Sequence, residues 1–328
     1  MTLKSIIDAF QGRPVVVYGD LVADVFVYGD ISRISREAPV LILSHRETQM
    51  VPGGAANAVH NLWALGAEPL PVGIVGDDRE GAVLLDYFAA LKVDTRGIKR
   101  VRSYRTPTKT RFLAGAAHAY QQQVLRLDVG APVQAGLGRG AIGRALRTRL
   151  RKADAALVSD YGYGLVQPAI SAEFRGTGLP TIVDSRYNIG AYPGLTAATP
   201  NEPEVEAALG IKIGNDPDKL EQAGRALLRR LKHEALLVTR GKDGMALFER
   251  GRKTTHIPIY GTDEIADVTG AGDTVIAVFT LALSAGAGFS DAARLANYAG
   301  GIAVMKHGTR TVSRKELTKA VTSDTGQK

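Results

Sequence analysis

The sequence predicts an α/β protein of three layers, a mainly parallel sheet covered by helices on both faces, with a small second sheet lying over it. Short β-branched runs alternate with helical stretches along most of the chain, which is the pattern of βαβ units. The runs are apolar throughout and lack a polar face, as strands covered on both sides do. Two stretches break the alternation, Val25–Leu43 and Arg102–Asp128, where strand-like and turn-like residues occur without a long helix. These two are read as one small sheet assembled from both pieces.

Taken in order, the strands of the main sheet are Pro14–Tyr18, Leu70–Val75, Ala155–Ser159, Thr181–Asp184, Ala197–Thr199 and Ala235–Thr239. Helices are expected at Ala55–Leu65, Gly81–Leu91, Ala141–Lys152, Pro203–Leu209 and Pro217–Leu231, each between two strands or before one. Thr254–Ile259 reads as a further short strand, and the apolar run Thr274–Leu283 as a buried helix. The core therefore takes residues 1–24, 47–100 and 130–318, and the small sheet, placed as a lid, takes 25–46 and 101–129. The polar stretch 319–328 is expected to fray.

Composition narrows the partners. With 41 basic against 33 acidic residues the chain carries +8, which suits anionic small molecules. Its cations are scattered and not interleaved with aromatics, so nucleic acid is not expected. The absence of cysteine excludes disulfides, thiolate metal sites and cysteine nucleophiles. The opening MTLKSIIDAFQGRP lacks the apolar core of a signal peptide, and no run approaches the ~20 apolar residues of a membrane span. A soluble, cytoplasmic protein with no membrane partner is expected.

Several familiar sites are missing. The Gly241-Lys242 pair is followed by Asp243, so there is no G-x-x-x-x-G-K-[ST] loop, and no His-Glu-x-x-His helix occurs. The glycines at 136, 138 and 140 lack a preceding strand and are read as a linker. Polar residues instead collect after the strands: Asp20, Asp160, Asp184, Asn201 and Arg240. Ligands of open α/β sheets bind at that edge.

The most informative segment is Asp267-Val-Thr-Gly-Ala-Gly-Asp273. Small residues opening into a helix leave backbone N–H groups uncovered, and the positive end of the helix dipole adds to their pull on phosphate oxygens. A carboxylate is unwelcome beside phosphate, so Asp273 is read as the base that takes a proton from an attacking hydroxyl. Upstream, Gly53 and Gly54 precede a helix and let a polyol approach the backbone, and Asn57 can donate to and accept from its hydroxyls.

The chain resembles the ribokinase-type carbohydrate kinases, the phosphofructokinase-B family, over about residues 12–318. The resemblance rests on Gly19–Val40, Pro52–Ala67, Ser159–Gly164, Thr199–Glu204, Val238–Met245, Asp267–Val278 and Lys306–Ser313. The Ser-Arg-Ile-Ser-x-Glu-Ala-Pro-Val stretch resembles more narrowly the branch that phosphorylates D-glycero-β-D-manno-heptose 7-phosphate.

This resemblance implies a ribokinase-like fold and an ATP site in the 130–318 part of the core. Asp273 would be the base, with the amides of Gly270, Ala271 and Gly272 as the anion hole. Asn201 and Glu204 would hold magnesium through water, and Thr239, Gly241, Gly244 and Asn297 would line the nucleotide. Asp267 and Thr269 would hold a potassium ion. The sugar would meet Asp24, Gly53, Gly54 and Asn57. An acceptor phosphate would need a cation: Arg111 and Arg186 rank above Lys109 because guanidinium grips phosphate bidentately, and Arg33 is a further candidate.

Homodimerisation through the lid is also implied. Departures from the heptose branch are Tyr163 in place of Lys, Arg36 in place of Pro, and Asp184-Ser-Arg186 in place of Asp-Pro-Lys. Two alternatives stay open: a kinase of another sugar, sugar phosphate or nucleoside, and a non-catalytic regulator binding sugar or nucleotide.

Overall fold

In a computed structural model, which describes residues 1–115, 121–134, 139–261, 267–306 and 308–325, the apolar runs form one large sheet. At its centre β1 (Pro14–Gly19) pairs in parallel with β4 (Glu68–Gly76) on one side and β8 (Ala155–Asp160) on the other. Beyond β4 lies β5 (Ile98–Val101); beyond β8 come β9 (Thr181–Ser185), β10 (Ala197–Ala198) and β11 (Ala235–Thr239). All of these run parallel. Two antiparallel strands, β12 (Met245–Glu249) and β13 (Thr255–Ile257), close the far edge.

Successive strand residues face opposite sides, and both sides are buried. Val15, Val17, Leu157 and Leu237 pack with α1 (Leu3–Asp8), α2 (Ala55–Ala64), α3 (Arg79–Ala90), α8 (Ala271–Ser284), α9 (Phe289–Val304) and α10 (Arg314–Thr325). Val16, Tyr18, Val158 and Val238 pack with α4 (Arg139–Leu150), the short α5 (Ser171–Phe174), α6 (Glu202–Leu209) and α7 (Pro217–Leu231). The expected three layers are therefore present.

A separate sheet has the order β3-β2-β6-β7, with β2 (Leu21–Ile34), β3 (Leu41–Gly54), β6 (Thr108–Gly115) and β7 (Gln122–Val129). Both irregular stretches of the sequence contribute, joined by the parallel pairing of β2 with β6. The boundary at 25–46 needs correction: these strands reach from Leu21 to Gly54, so Asp24, Gly53 and Gly54 belong to the small sheet.

A second correction concerns the C-terminus. Residues 319–325 continue α10, with Leu317, Ala320 and Val321 buried against the core. Burying a Leu or Val side chain is worth about 1.5–3 kcal/mol, which outweighs the polar residues that suggested fraying. The glycines at 136 and 138, and position 307 in Lys306–Ser313, lie outside the described residues.

Candidate active site

Chain order runs outward from β1 to β4 in one direction and from β8 to β11 in the other, so the switch point lies between β1 and β8. In open α/β sheets that is where ligands bind, at the carboxyl ends of the strands. Asp20 follows β1 and Asp160 ends β8, yet neither faces outward as expected. Asp20 is 1% exposed, and its Oδ2 accepts from the N–H groups of Tyr161 (2.9 Å) and Tyr163 (3.1 Å). Burial lifts its carboxyl to about 7. Asp160 accepts from Ser185 Oγ and the Tyr192 hydroxyl, both at 2.6 Å, and from the Gly162 N–H. The two aspartates hold the turn that carries Tyr161.

That turn faces the start of α8. Gly270, at φ +78°, caps the helix in the left-handed region, where glycine alone is unstrained. A Cβ there would also stand 2.7 Å from Asn57 Nδ2. The first amides of a helix have no intrahelical acceptor. Those of Gly270, Gly272 and Asp273 have none among the described residues, whereas the Ala271 N–H points back at the Val268 carbonyl, 3.3 Å away. The three-amide hole expected at residues 270–272 is corrected accordingly: Ala271 is partly occupied, and the Asp273 N–H is an additional open donor.

Asp273 is 3% exposed and held between Asn57 and Tyr161. Its Oδ2 accepts from Asn57 Nδ2 at 2.9 Å and its Oδ1 from the Tyr161 hydroxyl at 2.8 Å. Burial raises the carboxyl to about 6, against the pull of those two hydrogen bonds. Asn57 thus holds the carboxylate. Its own amide is fixed by Asn61, whose Nδ2 donates to Asn57 Oδ1 at 3.1 Å while its Oδ1 accepts from Thr274 Oγ1 at 3.2 Å.

On the small sheet Asp24 sits opposite Lys109, and Phe26 opposite Arg111. Arg111 is buried with Nη1 donating to Asp24 Oδ1 at 2.7 Å and its guanidinium over the Phe26 ring. The ranking of the cations is corrected by this pair, because Arg111 is committed to a carboxylate. Lys109, ranked below it, has no ion-pair partner among the described residues. Its Nζ stands 4.5 Å from the centre of the Tyr161 ring, and burial lowers its pKa. Gly53 is required by close approach: a Cβ would lie 2.6 Å from Asp24 Oδ2. Gly54 caps α2. Thr309 Oγ1 donates to Asp24 Oδ2 at 3.3 Å. Arg186 is exposed beyond β9 and lies over Tyr187. Arg33 is also exposed, on the outer part of β2.

Asn201 and Glu204 form a reciprocal cap on α6, Asn201 Oδ1 accepting the Glu204 N–H and Glu204 Oε2 the Asn201 N–H, both at 2.9 Å. Burial raises the Glu204 carboxyl, and burial together with Glu204 and Asp273 raises that of Asp184. Such crowded carboxylates fit a divalent cation bound through water. No group of three or more His, Cys, Asp or Glu that could enclose a metal directly occurs among the described residues.

Thr239 donates its N–H to the Pro200 carbonyl, and Gly241 is open to solvent. Gly244 lies against the backbone of Ile257 and Ile259. Asn297 spends its Nδ2 on the Pro258 carbonyl at 2.9 Å. Asp267 accepts the N–H groups of Thr269 (2.8 Å) and Gly308 (3.1 Å), tying the loop before α8 to the one after α9.

Reading the sequence by its strand ends and glycines overlooked Tyr161, Asn61 and Thr309 as site-builders. For Tyr161 a signal existed, since it lies within the Ser159–Gly164 stretch.

An α/β crevice with open helix amides beside a buried, part-desolvated carboxylate defines a small-molecule phosphotransferase. Residues 13–124 and 182–316 match the profile of the pfkB family carbohydrate kinase, and the chain belongs to that family. Members of that family are carbohydrate kinases, phosphotransferases with an alcohol group as acceptor. The chain is 41% identical to the "Bifunctional protein HldE" of Geobacter sulfurreducens over 92% of this chain and 61% of that protein, and 37% identical to that of Coxiella burnetii over 98% and 66%. The chain thus spans somewhat under two thirds of the length of these curated relatives. Among solved structures, Arabidopsis thaliana ribokinase complexed with ribose and ATP superposes with a TM-score of 0.75 at 21% identity, covering 95% of this chain and 99% of that one. Escherichia coli phosphofructokinase-2 in complex with potassium gives 0.74 at 18%, again over 95% and 99%. These share the ribokinase-like fold. No described helix is long and apolar enough to cross a membrane.

Proposed function

We propose that the chain transfers the γ-phosphoryl group of ATP to a hydroxyl of D-glycero-β-D-manno-heptose 7-phosphate, giving the 1,7-bisphosphate on the route to ADP-heptose and the lipopolysaccharide core. The observation that carries the transfer is Asp273, buried beside the open amides of Gly270 and Gly272 with each oxygen held by a neutral donor. The heptose acceptor is supported by the 37–41% identity to the HldE proteins.

The acceptor hydroxyl gives its proton to Asp273 as its oxygen attacks the γ-phosphorus, the bond from that phosphorus to the β–γ bridging oxygen breaks and ADP leaves, and the amides at the start of α8 hold the charge on the phosphoryl oxygens. Asp24, fixed by Arg111, accepts from sugar hydroxyls, and Lys109 takes the role of cation for the acceptor's own phosphate, with Arg186 at the mouth. Thr239, Gly241 and Asn297 border the nucleotide. Magnesium, held through water by Asn201 and Glu204, would neutralise the triphosphate. Asp267 and Thr269 are the candidate residues beside a potassium ion.

The core and lid division belongs to the same proposal: the four-stranded sheet closes over the sugar and excludes water, and its outer surface pairs two chains as a homodimer. The expected location is the cytoplasm, where ATP is supplied.

Replacing Asp273 by Asn tests the chemistry. ADP release should fall about 100-fold or more, since a general base contributes ~10²–10⁴, with nucleotide affinity retained. A near-wild-type rate would sink the assignment. Comparing kcat/KM across heptose 7-phosphate, ribose, fructose, nucleosides and other sugar phosphates tests the acceptor. The heptose reading fails if another acceptor is preferred. ADP release with none of them would favour a non-catalytic binder.

A further inference from the structure

A second concave site lies away from the catalytic crevice, on the face of the sheet covered by α4 and near the amino ends of the strands. There α4 crosses the Thr95–Gly97 turn that leads into β5, leaving a cleft of about 370 Å³. Small-ligand sites occupy about 300–1,000 Å³, so its size suffices. Five cationic side chains line it: Arg96, Lys99, Arg144, Arg149 and Lys152; no acidic residue does.

The neighbouring carboxylate is Asp94, and it is fully engaged. Arg96 binds both of its oxygens through Nε, and Arg149 Nη1 donates to Oδ2 at 2.6 Å. The two guanidiniums hold the Asp94 carboxyl well below the usual carboxylate range. Arg149 is 8% exposed, so this pair forms a rigid floor and is not a mobile surface contact. The side chains of Lys99, Arg144 and Lys152 have no ion-pair or hydrogen-bond partner among the described residues.

Cations gathered in one concavity repel one another, and a structural role would need only the Arg149–Asp94 pair. The surplus positive charge is relieved by an anion. Single-stranded nucleic acid binds where a charged groove also carries aromatic side chains on which bases stack; no aromatic residue lines this cleft. We infer that the cleft between α4 and Thr95–Val101 binds a small phosphorylated metabolite carrying two or more negative charges. Arg149 forms its anchored base, Arg96 is tied to Asp94 at the exposed rim, and Lys99, Arg144 and Lys152 are the responding cations. This site does not depend on the roles given to Asp273 or the lid.

The test uses the full chain and inorganic pyrophosphate as probe, followed by isothermal titration calorimetry at low salt with ADP saturating. One pyrophosphate should bind per chain. Affinity should drop at least tenfold in the Lys99→Gln/Arg144→Gln double variant and several-fold in Lys152→Gln. It should stay within twofold in Lys315→Gln/Lys319→Gln, which removes the same charge from α10. None of the substituted side chains makes a hydrogen bond or ion pair with a described residue, so unchanged melting temperatures are expected. No binding by the wild type under saturating ADP overturns the inference. So does equal weakening in the two double variants, which would reveal only diffuse attraction to a basic surface.

Discussion

At Asp273, burial and hydrogen bonding oppose each other. Desolvation raises the carboxyl to about 6, and the bonds from Asn57 and Tyr161 restrain that rise. The result is a group mostly ionised at neutral pH yet basic enough to take a proton, which is where a general base works best. The Tyr161 hydroxyl favours the charged form, so Tyr161→Phe should raise the carboxyl further. The acidic limb of the kcat–pH profile should then move to higher pH by about one to two units, in keeping with the ~1.5–3 kcal/mol of a hydrogen bond to a charged group. A variant whose KM changes while the limb stays at the wild-type pH would show that Tyr161 acts on substrate and does not tune the base.

Among the elements, the link between β1 and the turn after β8 is the most exposed to pH. Asp20 joins them with its carboxyl lifted from 3.8 to about 7 by burial. A raised carboxyl stabilises the fold fully below its unfolded pKa, and that contribution is lost as pH rises through the folded value. Stability should therefore decline between about pH 4 and pH 7, most steeply midway between the two, and level off above 7. Asp20→Asn should flatten this slope in melting temperature against pH. An unchanged slope would mean that the anionic form of Asp20 is compensated by groups other than the Tyr161 and Tyr163 amides.

For the whole molecule, the small sheet poses a problem of cover. Ile34, Leu125 and Leu127 are 65%, 59% and 53% exposed, and β7 is exposed along nearly its whole length. A single-layer sheet with apolar residues in water is marginal unless something packs on it. Pairing with a second copy of the chain is the proposed cover. Leu125→Glu/Leu127→Glu should shift the chain from dimer to monomer in sedimentation velocity, and a monomeric wild type would refute lid pairing.

Local patterning in the sequence determined the layered fold, because apolar β-branched runs and helical periods are short-range properties. The bounds of α7 and β11 were read correctly for that reason, and Asp273 stood out because a carboxylate among glycines opposes local electrostatics. Tertiary structure decided what each polar group touches. Asn57 turned to the carboxylate and away from solvent, Arg111 was taken up by Asp24 and left Lys109 with no ion-pair partner among the described residues, and Asp20 became a brace for the Tyr161 turn. These outcomes depend on partners 87 to 216 residues away in the chain. Local sequence holds no record of such distances, and only packing brings the partners within hydrogen-bond reach.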